Sequence, residues 1–289
     1  MPEGERPAAG GVLYVVGTPI GNLEDISLRA LRVLKEVDLI ACEDTRHTQK
    51  LLQHYAIATP TISYHEHNEP ARALELVKRL ENGAHIAVVS DAGMPGVSDP
   101  GYRVISAATE RGIAVVPIPG PAALVAALAA SGLPTDAFHF GGFLPARAGQ
   151  RRAALAEAQG LTETQIFYEA PHRLLETLQD VVEILGSERP VVVARELTKV
   201  HEEFVRGTAG EVLSQLESRK GSLRGEITLL IGKAVEGSQV AEQQDLRQRL
   251  ESLQRQQNLD EKAALKLLAK ELGISKSEAY RRLQQSRKR

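Results

Sequence analysis

The chain has 289 residues, 43% of them hydrophobic and 25% charged, with a formal net charge of -2 and a single cysteine, Cys42. That length and apolar content predict about two domains with sizeable cores, and one cysteine excludes an internal disulfide framework. No apolar run approaches the roughly 20 residues that span a bilayer. The first ten residues lack the apolar segment of a secretion signal, and the closest histidines, His65 and His67, have no partner at zinc-finger or HExxH spacing. A cytoplasmic protein without a membrane segment or a metal site is expected.

Residues 1–10, rich in Pro, Gly, Glu and Ala, are expected to form a disordered tail. Short apolar runs then recur at Val12 to Val16, Leu39 to Cys42, Thr61 to Tyr64, Ile86 to Val89 and Ala114 to Ile118, with helix-favouring sequence between them. Strands alternating with helices predict a mostly parallel sheet in a first α/β domain over 11–118. After the first strand stands Gly17-Thr-Pro-Ile-Gly21-Asn rather than GxGxxG, and no GxxxxGK[ST] occurs anywhere, which disfavours an ordinary dehydrogenase or ATPase. After the fourth strand come twelve residues, Ser90 to Gly101, holding three glycines, two prolines and two aspartates. A plain strand-to-helix connection needs only about 2 to 6 residues. This loop therefore reads as a rigid array of backbone donors and acceptors for a small polar ligand, at the carboxyl end of a parallel strand where open α/β sheets bind theirs.

The turn-rich Pro117 to Pro121 and an Ala/Leu helix, Ala122 to Ser131, look like a hinge into a second α/β domain over 119–236. Its strands are expected at Phe138 to Phe143, Gln165 to Tyr168, Val191 to Ala194, His201 to Val205 and Glu226 to Ile231. Its helices are expected at Arg147 to Gln159, Pro171 to Leu185 and Gly210 to Glu217. Residues 237–289 carry 12 Lys and Arg against 7 Asp and Glu, a basic helical appendage on an acidic body. Such an appendage can hold a polyanion or can be a solvated tail. Gly273 and Ser275 there stand at helix-turn-helix spacing, a pattern that any αα-hairpin can also show.

Seven ordered motifs carry a resemblance: VGTPIGNLEDIS at 16–27, CEDTRHTQKLL at 42–52, SDAGMPGVSDPG at 90–101, PGPAALVAALAASGLP at 119–134, FYEAPHRLLETL at 167–178, RELTKVHEEFVRGT at 195–208 and GEITLLIG at 225–232. Together they resemble the ribosomal RNA small subunit methyltransferase I family of the tetrapyrrole methylase superfamily. The resemblance implies two α/β domains of the tetrapyrrole methylase type with S-adenosylmethionine in the cleft between them, a small C-terminal helical domain, and a homodimer. It implies methyl transfer to the ribose 2′-oxygen of a cytidine in the decoding region of 16S rRNA, probed most naturally in the small ribosomal subunit. By motif, the cofactor should meet Pro19, Ser90, Asp91, Ala92, Gly93 and Pro95, then Ala122 and Ala123 at the hinge, and Glu169, Leu197 and Thr228 from the second domain. Met94 stands where the family commonly has threonine and Ala122 where it often has serine, so two hydroxyls are lost.

Methylating a ribose hydroxyl, a very weak acid, calls for a base or a nearby cation beside the activated methyl group. The ionisable residues expected around the cleft are Glu43, Asp44, Arg46, Asp91, Glu169, His172, Arg173, Arg195, Glu196 and Lys199, with Asp44, Glu169 and Lys199 as the catalytic candidates. Each also has a structural reading: Asp44 and Thr45 can cap the following helix, Asp91 can order its own loop, and the Arg195-Glu196 and Glu202-Glu203-Arg206 charges can be ion pairs across strands. Arg46, Arg147, Arg151, Arg152, Lys276, Arg281 and Arg282 are the candidate RNA contacts. Two other readings remain at this point: a tetrapyrrole C-methyltransferase, which has no use for a basic appendage, and a non-catalytic nucleic-acid-binding protein, which leaves the two polar loops without a role.

Overall fold

The apolar runs of the first half assemble into one five-stranded sheet whose three central strands are buried on both faces and whose two edge strands are partly buried. In the computed structural model, which describes residues 10–219, 221, 223–233, 250, 253–254, 260–271 and 279–281, these strands are β1 (Val12–Val16), β2 (Leu39–Cys42), β3 (Thr61–Ser63), β4 (Ile86–Val89) and β5 (Ala114–Ile118). They pair in parallel in the order β3-β2-β4-β1-β5. Helices α1 (Leu28–Glu36) and α2 (Thr45–His54) cover one face through Val33, Leu34, Leu51 and Leu52. Helices α3 (Glu69–Glu81) and α4 (Tyr102–Glu110) cover the other through Leu76, Leu80, Val104 and Ala108. Side chains set the starts: Ser27 accepts the Ala30 N–H at 3.1 Å to begin α1, and Asp44 accepts the Arg46 N–H at 2.8 Å to begin α2.

This strand order makes β1 and β4 neighbours whose connections leave in opposite directions. The two polar loops that follow them therefore meet over one crevice, as in other open α/β sheets.

The second sheet is mixed. Its strands are β6 (Phe138–Phe143), β7 (Thr164–Glu169), β8 (Pro190–Arg195), β9 (Glu203–Thr208) and β10 (Ile227–Ile231), in the order β6-β7-β10-β8-β9. Only β6 and β7 run parallel; β10 and β9 pair antiparallel to their neighbours. Helices α6 (Ala148–Ala158), α7 (Leu174–Leu185) and α8 (Ala209–Glu217) cover one face. Helix α5 (Ala123–Ser131), between β5 and β6, lies on the other, burying Ala127 and Leu128 against Ile166, Val192 and Leu230. Ile20, from the loop after β1, joins that same cluster and fastens the two sheets together.

One strand is displaced from its sequence expectation. The apolar run predicts a strand from His201, whereas β9 begins at Glu203. The chain is still turning through Glu202, whose carboxylate accepts the Thr198 N–H at 2.6 Å while its own N–H donates to the Lys199 carbonyl at 3.0 Å. Helix α7 likewise starts at Leu174 rather than Pro171, because Ala170 to Arg173 form a turn closed by the Arg173 N–H on the Ala170 carbonyl at 3.0 Å.

Helix α9 (Glu261–Glu271) buries Ala264, Leu265 and Leu268 with Leu250, Leu253 and Ala279 in a small cluster of its own. Residues 1–9, most of 234–259, and the expected turn at Gly273 and Ser275 lie outside the described residues.

Candidate functional site

The loops after β1 and β4 are locked to each other by backbone. The Thr18 N–H donates to the Gly93 carbonyl at 2.9 Å and the Gly93 N–H returns to the Thr18 carbonyl at 3.1 Å. The buried Thr18 hydroxyl donates to the Ser90 carbonyl at 3.0 Å, and the Ser90 hydroxyl to the Gly93 carbonyl at 3.1 Å. Gly93 turns at φ +86°, a left-handed conformation that favours glycine. Behind it the loop after β5 comes so near that a Cβ on Gly17 would lie 2.8 Å from Gly120 Cα.

In front of this locked pair lies a cavity of about 510 Å³ between the two sheets. Its walls come from Ile20, from Ala92 to Met94 and Val97 to Asp99, from Ala122 to Val125, and, on the second domain, from Phe143, Tyr168 to Pro171, Leu197 and Gly225 to Thr228. The walls are largely apolar, and the volume is that of an ordinary small-molecule site of about 300 to 1,000 Å³. Asp99, Glu169 and Glu226 are the lining residues that carry formal charge at neutral pH, and all three are acidic.

Among the sequence candidates for the cofactor, Ala92, Gly93, Ala122, Ala123, Glu169, Leu197 and Thr228 line the cavity. Pro19, Ser90, Asp91 and Pro95 stand behind it in the loops. Asp91 accepts the Asp44 N–H at 3.1 Å, so it ties the β4 loop to the start of α2. Met94 lines the wall, and its sulfur would be 2.6 Å from a Cβ on Gly17. Ala122 caps α5 without any side-chain bond, so the hydroxyl common at this position is not replaced by another cap. Sequence reasoning passed over Asp99, although it sits in the signature loop, and over Phe143 and Tyr168, which lie in two of the expected strands.

The catalytic candidates are strongly engaged. Asp44 caps α2 and pairs with Arg46 at 2.9 Å, and the Arg46 bonds hold its carboxyl down at about 2. Glu169, its side chain fully buried, accepts from the Thr177 hydroxyl at 2.6 Å and the Ala170 N–H at 2.7 Å and pairs with Arg173 at 2.7 Å. Lys199 bridges Glu196 and Glu226, each at 2.8 Å. Partial burial pulls its ammonium down, but the two carboxylates outweigh it and raise the group above the ordinary lysine value. A lysine so held stays protonated.

The arginine candidates divide. Arg46 and Arg147 are exposed, as is Arg281. Arg152 is half-exposed and pairs with Glu183 on α7. Arg151 is 2% exposed and pairs with Asp180 at 2.7 Å, inside the α6–α7 contact. Arg151→Ala is therefore expected to lower the free energy of unfolding by about 3 to 5 kcal/mol, since it strips a buried carboxylate of its main partner. Urea unfolding would read this, and a salt titration of RNA binding should leave the slope unchanged. Lys276 and Arg282 lie outside the described residues.

Known proteins share this arrangement. The family profile of the Tetrapyrrole (Corrin/Porphyrin) Methylases matches residues 12–213. The chain is 48% identical to the ribosomal RNA small subunit methyltransferase I of Halalkalibacterium halodurans, covering 93% of each chain. It is 46% identical to that of Escherichia coli O157:H7, covering 94% of each. Among solved structures, diphthine synthase superposes with a TM-score of 0.60 at 13% identity, over 77% of this chain and 90% of that one. Uroporphyrin-III C-methyl transferase from Thermus thermophilus, complexed with S-adenyl homocysteine, superposes at 0.53 and 20% identity, over 78% of this chain and 99% of that one. These two share the fold. Near half identity along almost the whole length goes further, and with the two interlocked loops and the cavity before them it places this chain in the ribosomal RNA small subunit methyltransferase I family of the tetrapyrrole methylases.

Proposed function

We propose that the protein transfers a methyl group from S-adenosylmethionine to the ribose 2′-oxygen of a cytidine in the decoding region of 16S rRNA. The observation that carries this reading is the cavity: apolar walls, a floor of locked backbone, and three carboxylates as its formally charged groups, in a chain whose relatives carry the name of a ribosomal RNA methyltransferase. A sulfonium and an ammonium on the cofactor suit an acidic lining, and the adenine ring suits apolar walls, so the residues present fit the group.

The bound cofactor supplies an activated methyl on a cationic sulfur. Of the residues named for it, Ala92, Gly93, Ala122 and Ala123 would present backbone and small side chains, while Leu197 and Thr228 would close the cavity from the second sheet. Pro19, Ser90, Asp91 and Pro95 would act by holding the loops rigid. Their shared task is to place the methyl in line with the incoming oxygen and exclude water. Glu169 orders the turn that forms one wall. Lys199, a fixed cation at the lip, and the exposed Arg46, Arg147, Arg152 and Arg281, with Lys276 and Arg282, are assigned to the RNA phosphates, and Asp44 to positioning Arg46. Arg151 is assigned to the second-domain core instead.

Sequence-specific RNA recognition targets splayed, irregular segments rather than a regular A-form helix, which favours the shaped surface of an assembled small subunit, in the cytoplasm, over naked RNA as substrate. Phe138, exposed on the edge strand β6, suits a contact within a homodimer. The test is methyl transfer from labelled S-adenosylmethionine to small subunits lacking the modification, with the labelled nucleotide mapped. Label on the 2′-oxygen of one cytidine is expected, with naked rRNA a poorer acceptor. Absence of label on rRNA, with label on an added porphyrinoid, would turn the assignment to tetrapyrrole methylation.

A further inference from the structure

Two of the three carboxylates lining the cavity are spoken for. Glu169 is saturated by Thr177, Ala170 and Arg173, and Glu226 is paired with Lys199. Asp99 differs. It is half-buried in the wall, where the charges of Glu43 after β2 and Asp91 after β4 act against its own, and Tyr168 on β7 lines the same cavity. No basic residue among the described ones pairs with it. Ser98, just before it, is held at φ +63°, a left-handed conformation that costs a serine energy and persists where the surroundings enforce it. Beside it, Phe143 lines the same cavity while remaining 59% exposed, its ring edge-to-face on Tyr168 at 5.4 Å. An exposed ring next to an unpaired carboxylate offers a stacking surface for a base and an acceptor for a sugar hydroxyl.

We propose that Asp99 is the general base of the methyl transfer, accepting the 2′-hydroxyl proton of a nucleotide whose base is splayed against Phe143. The assignment rests on the ribose-hydroxyl reading of the substrate. The hydroxyl proton passes to the Asp99 carboxylate while the oxygen lone pair forms the bond to the methyl carbon. The carbon–sulfur bond breaks with its electron pair left on sulfur. The products are the 2′-O-methyl ribose, neutral S-adenosylhomocysteine and a protonated Asp99, which returns its proton to water.

Burial, reinforced by Glu43 and Asp91, pushes the Asp99 carboxyl up to about 6. A base with that affinity works well near neutral pH. A cationic sulfur in the cavity draws the value down, so the acid limb of the rate should have its midpoint at or below about 6. The same shift makes a stability prediction. An aspartate whose folded pKa lies above its unfolded value favours the folded state while protonated, and that contribution is lost as pH rises through about 6.

The experiment compares the wild-type enzyme with Asp99→Asn and Asp99→Glu, by single-turnover methyl transfer to small subunits from pH 5 to 9, calorimetric binding of S-adenosylmethionine, and thermal melting. Asp99→Asn should lose about 100-fold or more in rate together with the acid limb. Its cofactor affinity should fall only a few-fold, the counterpart of the cofactor's pull on the Asp99 carboxyl and far short of the rate loss, and it should melt above wild type at pH 8 but not at pH 4. Asp99→Glu should recover part of the rate and the limb. A rate for Asp99→Asn within about threefold of wild type, or a surviving acid limb, would remove Asp99 from the chemistry. Cofactor affinity falling in step with the rate would do the same by making the residue structural. Label on ribose with an active Asp99→Asn leaves the substrate reading standing, whereas wild-type label elsewhere on the RNA overturns that reading first.

Discussion

Gly120→Ala should reduce the methyl-transfer rate about 100-fold, the scale of penalty that a misplacement of about 1 Å imposes on a reacting geometry. The added Cβ would sit 2.8 Å from Gly17 Cα and 3.0 Å from the Gly17 carbonyl carbon and oxygen. Those neighbours are backbone, which cannot rotate aside as a flexible side chain can, so the two loops must separate toward an ordinary contact of about 3.5 to 4 Å. Gly17 is followed at once by Thr18, whose two backbone bonds to Gly93 fix the cavity floor, so the displacement reaches the site directly. Overpacking of this kind also destabilises by about 1 to 3 kcal/mol. The control is Gly149→Ala inside α6, where a Cβ meets nothing within 4 Å and φ is ordinary. It should leave the rate unchanged and, by helix propensity, raise the melting temperature slightly.

Glu169→Ala should lower the free energy of unfolding by about 3 to 5 kcal/mol, the usual result of removing one partner from a buried ion pair. Arg173, its side chain 16% exposed, would lose its carboxylate, and the fully buried Thr177 hydroxyl its acceptor. Glu169→Gln keeps an acceptor for Thr177 and the Ala170 N–H but loses the charge facing Arg173, and should fall between wild type and the alanine variant. Urea unfolding measures both. The pair also decides a mechanistic point: a folded Glu169→Gln enzyme that retains most of its rate assigns the residue to building the wall, whereas one that is stable yet inactive would show that the charge facing Arg173 is needed for the rate as well.

The parts of this fold that the sequence makes legible are those governed by local physics. β1, β2 and β4 appear as short continuous apolar runs because both faces of a parallel sheet are covered, and the loops after β1 and β4 announce themselves through glycine and proline. Non-local pairing is what sequence hides. Arg151 looks like one of a basic trio at a helix start, and only Asp180, 29 residues on, explains why it is inside. Glu169 is correctly placed at the cavity, but Thr177 and Arg173, which leave it no spare acceptor, act from the next turns of chain. Phe143 falls one residue out of its strand's alternation because the register with β7 shifts between Phe140 and Phe143, so a period of two cannot show that its ring reaches the cavity. Asp99 lies in a motif rich in more obvious candidates, and its distinction, a carboxylate without a cation, exists only in three dimensions.

Among the described residues, four that are not glycine have positive φ, and three of these gather at the cavity: Ser98 in its wall, and Glu196 and Thr198 on either side of the lining residue Leu197. Thr198 adds a buried hydroxyl with no hydrogen-bond partner. Each such conformation costs about 1 to 3 kcal/mol. The rim therefore concentrates the molecule's conformational tension beside its chemistry, while the covered sheets supply the cohesion that maintains it. A programme of thermal hardening would find its most attractive substitutions at these three positions, and they are the ones where a gain in robustness trades against turnover.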